Sequence, residues 1–132
     1  MYNQTMMKTL NMLGLLMLAL NLTPVIAQDY IAYYNYCNEA DKQIYFNNDS
    51  LALESFKTAF TLVDYVHAFE YEKASKCAAR LKDYETAYLF AKEAILHGTP
   101  VKYLKAPVFK EFQKTAQYQL LADSSALFYA QH

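Results

Sequence analysis

Between Tyr30 and Gly98 apolar residues recur every three or four positions, and no stretch alternates strictly as a half-buried strand would. Four helices follow from that pattern. Tyr33, Tyr36, Ala40 and Ile44 form the stripe of the first, which Asn47-Asn48-Asp49 interrupts with turn chemistry. Asp49 or Ser50 then caps a second helix with the stripe Ala52, Phe56, Ala59 and Val63. Asp64 starts a third, bearing Tyr71, Ala74, Ala78 and Leu81. Lys82-Asp83 is the next corner, and Ala87, Ala91 and Ala94 with Tyr88 and Ile95 line the fourth. Gly98 supplies the left-handed residue that ends it, and Pro100 forbids continuation.

The pattern also repeats. A shift of 35 lays Tyr36 on Tyr71, Ala52 on Ala87 and Ala59 on Ala94. Small residues recurring where helices cross closely mark stacked helix pairs. The corners are too short for anything but antiparallel neighbours, so the expectation is an all-α chain of two antiparallel helix pairs. After them, 101–132 serve as C-terminal capping helices: a short turn at Val101 to Lys105, then an amphipathic helix carrying Val108, Phe109, Phe112, Ala116, Leu120 and Leu121, broken near Asp123-Ser124-Ser125.

Residues 1–27 read as a cleaved signal peptide and stand outside the fold. One cation, Lys8, precedes an apolar run from Leu10 to Leu22, and Val25 and Ala27 are small residues suited to cleavage before Gln28. Met1, Met6 and Met7 are alternative starts. Asn11 and Asn21 bracket a run too short for a comfortable membrane span, so the expectation is export to a periplasmic or extracellular location, with no membrane partner after cleavage.

Composition narrows the function. Lys8 is the only charge in the leader, so the remainder carries 11 basic and 13 acidic residues, which gives no electrostatic case for nucleic acid. Gly98 is the only glycine after the leader, which excludes glycine-rich phosphate-cradling loops and with them the nucleotide cofactors that need one. Tyrosine, 13 of 132 residues, suits a surface half packed and half wet. Cys37 and Cys77 are 40 residues apart, one repeat plus five, which sets them on different helix faces and favours two small buried thiols over a bridge. His67, His97 and His132 are isolated, and no cysteine or histidine has a ligand-like neighbour, so neither a metal site nor an enzyme is expected.

On these residues the chain resembles a tetratricopeptide repeat protein of the exported bacterial type. Tyr71, Ala74, Ser75 and Ala78 stand at that family's first-helix positions, and Ala87, Ala91 and Ala94 at its second. Tyr36, Ala40, Ala52, Phe56 and Ala59 match the same positions in the first unit. Glu39, Gln43, Asn47 and Lys82 depart from the pattern, the last two where a corner glycine is usual. The resemblance implies units at about 33–66 and 68–101 within 28–100, wound as an α-solenoid with a right-handed superhelix.

It also implies a concave face built from the first helix of each pair. The family's groove positions fall on Tyr34, Cys37, Asp41, Ile44 and Tyr45, then on Phe69, Glu72, Lys76, Ala79 and Arg80. Of these, Tyr34, Asp41, Tyr45, Phe69, Glu72, Lys76 and Arg80 form the candidate peptide-binding groove, in which rings anchor and charges set register. Lys76 and Arg80 lie one turn apart and can grip a carboxylate, although Glu72 is also placed to pair with Lys76. The expected function is an adaptor for a protein or peptide, with no catalytic residues and no cofactor. The alternatives are a structural module that self-associates as a weak homo-oligomer, or the orphaned front region of a longer exported protein.

Overall fold

The computed structural model describes residues 28–130, with side chains placed through residue 124. The proposed leader, its alternative starts and His132 lie outside the described residues. The described residues hold five α-helices and no strand: α1 Tyr30–Tyr45, α2 Asp49–Phe60, α3 Ala68–Arg80, α4 Tyr84–Leu96 and α5 Ala116–Ala130. The all-helical expectation holds.

Local chemistry accounts for each boundary. The Asp29 carboxylate accepts from Ala32 N at 2.9 Å and caps α1, while Asp29 N donates to Leu62 O and ties the start of α1 to the end of α2. At the first corner Asn47 takes φ +56°, Asn47 N donates to Ile44 O and Asn48 N to Gln43 O. The second corner repeats this 35 residues later: Lys82 takes φ +60°, Lys82 N donates to Ala79 O and Asp83 N to Ala78 O. The caps repeat as well. Asn48, rather than Asp49 or Ser50, accepts from Leu51 N, and Asp83 accepts from Thr86 N. Gly98 closes α4 at φ +109° with open space around its missing Cβ, so backbone conformation rather than crowding requires glycine there.

Helices pack on their chain neighbours, α1 on α2, α2 on α3 and α3 on α4. Ala40, Ala52, Ala59, Ala74, Ala78, Ala87, Ala91 and Ala94 are all fully buried. A methyl side chain at every crossing allows close approach of the axes, and Phe56, Phe60, Phe90 and Tyr71 fill the space between α2, α3 and α4.

Three expectations need correction. The third helix begins at Ala68, not Asp64, because Val63 and Val66 are drawn into the core and hold 61–67 as a packed connection; His67 at its start makes no side-chain cap. Tyr36 does not share the buried stripe of α1: it is 42% exposed and Cys37 takes the core position, which leaves Tyr33, Cys37, Ala40 and half-buried Ile44 facing inward. Leu81, at the end of α3, is likewise exposed.

The tail is the third correction. Val101–Lys105 is the expected short turn, but Pro107–Phe109 and Phe112–Lys114 are further 3₁₀ turns, and the regular helix starts only at Ala116. Phe109 and Phe112, three apart, share one face at the 3₁₀ period and are both fully buried. Thr115, in extended backbone, breaks the run and accepts from Tyr118 N to start α5. That helix continues through Asp123-Ser124-Ser125 without a break, with Gln119 bonded to Asp123 and Ser124 Oγ to Leu120 O. Phe112 stacks on Tyr84 of α4, and the Tyr103 hydroxyl meets buried Ser75 of α3 at 3.3 Å, so the tail closes the core from below α3 and α4.

Candidate functional site

The side-chain positions of α1 and α3 recur with the same offset, so Tyr34, Asp41 and Tyr45 on α1 correspond to Phe69, Lys76 and Arg80 on α3. Tyr45 is 82% exposed, Phe69 62% and Tyr34 49%. Three large rings therefore stand open on two helices joined by an ion pair, since Lys73 Nζ lies 2.6 Å from Asp41 Oδ1 and spans from α3 to α1.

Lys73 organises this face. Its ammonium also pairs with Glu70 at 2.7 Å and sits over two rings, 5.0 Å from the centroid of Phe69 and 5.5 Å from that of Phe56. Burial works against its charge, but hydrogen bonds and Coulomb attraction from Asp41 and Glu70 outweigh it and hold its pKa above the usual lysine value. Phe69 thus keeps one face against a fixed cation while the rest of the ring meets solvent.

The other charges are paired too. Lys76 binds Glu72 at 2.6 Å along the same helix. Arg80 forms a fork with Asp49 at the start of α2, 2.8 Å from Nε and 2.6 Å from Nη2, and these bonds raise its pKa. Lys76 and Arg80, one turn apart, are therefore each engaged with an acid of this chain, Lys76 in the helix ion pair that its spacing from Glu72 favours over a carboxylate clamp. Tyr34 has its hydroxyl 3.5 Å from His67 Nε2 and its ring edge-on to Tyr33 at 5.0 Å.

Two of the wider groove positions do not line it. Cys37 and Ala79 are buried in the core, and Ile44 is half-buried against it. Burial raises the Cys37 thiol to about 11 and the Cys77 thiol to about 12, and the two unbridged cysteines belong to separate core clusters. Burial likewise raises the pKa of the Tyr33 phenol, whose hydroxyl faces the His67 amide. Among the described residues no three His, Cys, Asp or Glu side chains come together as metal ligands.

Sequence reasoning missed Lys73, Asp49 and His67 as members of this face. Lys73 follows Phe69 by one helical turn, which is a readable signal. The Arg80–Asp49 fork crosses from α3 to α2 and has no local signature. No family model, curated protein or solved structure matches the chain.

Proposed function

We propose that this chain is a non-enzymatic, tetratricopeptide-like adaptor, exported from the cell, that holds a protein or peptide against the face bearing Tyr34, Asp41, Tyr45, Phe69, Glu72, Lys76 and Arg80. The observation that carries the reading is the exposure of Tyr34, Tyr45 and Phe69 on two helices whose intervening charges are locked in pairs. Exposed rings gain most when a partner removes them from water, and a pre-ordered charge network gives up little entropy on binding. Support for a helix-pair repeat comes from the two corners, which share hydrogen bonds, caps and left-handed residues at an offset of 35.

Pairing also shapes the recognition. With Arg80 and Lys76 already neutralised, the face suits a partner that offers apolar or aromatic side chains and main-chain groups rather than one that brings carboxylates for capture. Affinity capture from the native compartment with wild-type protein and with a Tyr45→Ala/Phe69→Ala variant of unchanged helicity tests the proposal. A partner retained by wild type and lost by the variant is the expected result; equal recovery on both rejects the face.

A further inference from the structure

Beyond the face described above, the two ends of the helix stack carry opposite charge. Residues 28–67 hold Asp29, Glu39, Asp41, Asp49, Glu54 and Asp64 against Lys42 and Lys57, a balance of −4, of which Asp41 and Asp49 are offset by Lys73 and Arg80 of α3, leaving −2. Residues 99–115 hold Lys102, Lys105, Lys110 and Lys114 against Glu111, a balance of +3. Because each helix packs on its chain neighbour, α1–α2 lies at one end of the stack and the tail at the other. Lys102, Lys105 and Lys110 are exposed and form no ion pair among the described residues; only Lys114 is paired, with Glu111.

The acidic end also has an uncovered helix face. On α3 the row Tyr71, Ala74 and Ala78 is covered: Tyr71 lies between Phe60 of α2 and Phe90 of α4, and both alanines are fully buried. The same row on α1 is Tyr36, Glu39 and Gln43, with no helix before it among the described residues. Tyr36 is 42% exposed and has no ring partner among the described residues, Glu39 takes the place of a buried alanine, and Gln43 bonds to Glu39 at 2.6 Å while Lys42 reaches it only at 3.6 Å. An apolar ring beside a half-exposed carboxylate is matched by a surface bearing lysines.

We propose that this α1 row receives the lysine-bearing tail, residues 101–115, of a second copy of the chain, so that copies associate head to tail through opposite charges. Such a contact uses two different patches and leaves both ends of every oligomer open, so it grows with concentration rather than stopping at a symmetric dimer. Its dependence on unpaired surface lysines makes it weak and sensitive to salt.

Sedimentation velocity of the purified protein over a concentration series, at ionic strengths of about 0.02 M and about 0.5 M, provides the test. The expected result is a sedimentation coefficient that rises with concentration at low salt and stays at the monomer value at high salt. Lys102→Glu/Lys105→Glu/Lys110→Glu and, separately, Glu39→Lys/Glu54→Lys are surface changes whose helicity is checked by circular dichroism. Each alone is expected to remain monomeric, and an equimolar mixture of the two is expected to associate again: the changes take the unpaired balance of the first end from −2 to +2 and that of the tail from +3 to −3, so each variant then meets the opposite sign at both ends. A wild-type monomer throughout at low salt, association unaffected by salt, or a mixture that stays monomeric overturns the proposal. So does association lost in only one of the two variants, which assigns the contact to like patches or to another surface. The test is independent of the Tyr45 and Phe69 face, whose variant is expected to associate as wild type does.

Discussion

Single side chains in this fold are chosen by how much room and how much water each position allows. Cys37 and Cys77 show the second limit: burial keeps both thiols protonated, at about 11 and about 12, against 9.0 for a free thiol. At pH 8 each is therefore expected to hold about 100-fold to 1000-fold less thiolate than an exposed cysteine, and a colorimetric disulfide reagent should label the native protein slowly and both sites at once in denaturant. The sign for stability follows from the same values. The folded pKa is raised, so the contribution of each buried thiol is complete below about pH 9, declines as the unfolded chain ionises, and is gone once the pH passes the folded values of about 11 and about 12. Denaturant midpoints measured from pH 7 to pH 11 should fall above pH 9, less steeply in Cys77→Ala. The first limit, room, governs the alanines. Ala52→Leu or Ala87→Leu forces three extra carbons into a crossing with no exposure at all and is expected to cost about 1–3 kcal/mol by urea titration.

Elements were legible in the sequence wherever a local rule decides them. The recurring alanines marked the crossings, Asp83 the cap and Gly98 the end of α4, and each does what its position predicts. The corners carry a further test. Lys82 holds φ +60° where glycine is free of strain, so Lys82→Gly is expected to stabilise by up to about 1 kcal/mol, raising the melting temperature, whereas Asn47→Gly gains less because asparagine tolerates that region. What the sequence hid depended on neighbours. Tyr36 and Tyr71 look equivalent along the chain, yet among the described residues only Tyr71 has a helix on each side. Asp64 looks like a helix start, but the pull of Val63 and Val66 toward the core wins over a cap worth about 1 kcal/mol. The connection 61–67 is held at its far end by His97, whose Nδ1 meets Val66 O at 2.8 Å while its ring stacks on Tyr65 at 5.2 Å. His97→Ala leaves that carbonyl without its partner and should cost about 1–3 kcal/mol, read as a lower denaturant midpoint and faster amide exchange across 61–67. The candidate face was half legible: helical spacing set Tyr34, Tyr45 and Phe69 on exposed positions of α1 and α3, but the pairing of Arg80 with Asp49 is a tertiary fact that no local pattern encodes.

At the scale of the whole molecule, two helix pairs of about 13 residues per helix leave one side of α3 and α4 open, and the tail must close it. It does so with large side chains. Leu104, Phe109, Phe112 and Leu121 are buried to within 1% of their surface, and Phe112 touches Tyr84, Phe109 and Tyr118 at once. If this closure is integral to the fold, removing one ring should weaken every helix rather than release the tail alone. Phe112→Ala is expected to cost about 3–5 kcal/mol, a large share of the roughly 5–15 kcal/mol that a small domain commands. The two cases separate in a urea titration followed by far-ultraviolet circular dichroism. A tail that merely rests on the helix pairs gives an early, small transition in the variant and leaves the main one in place. A tail that completes the core gives one cooperative transition, shifted bodily to lower urea with its slope unchanged, and this is the outcome expected from the stacking of Phe112 on α4 and the contact of Tyr103 with Ser75 on α3. By contrast, Tyr45→Ala and Phe69→Ala remove rings that solvent already surrounds, so the same titration should move their midpoints little, and any loss of partner binding they cause is then a property of the face.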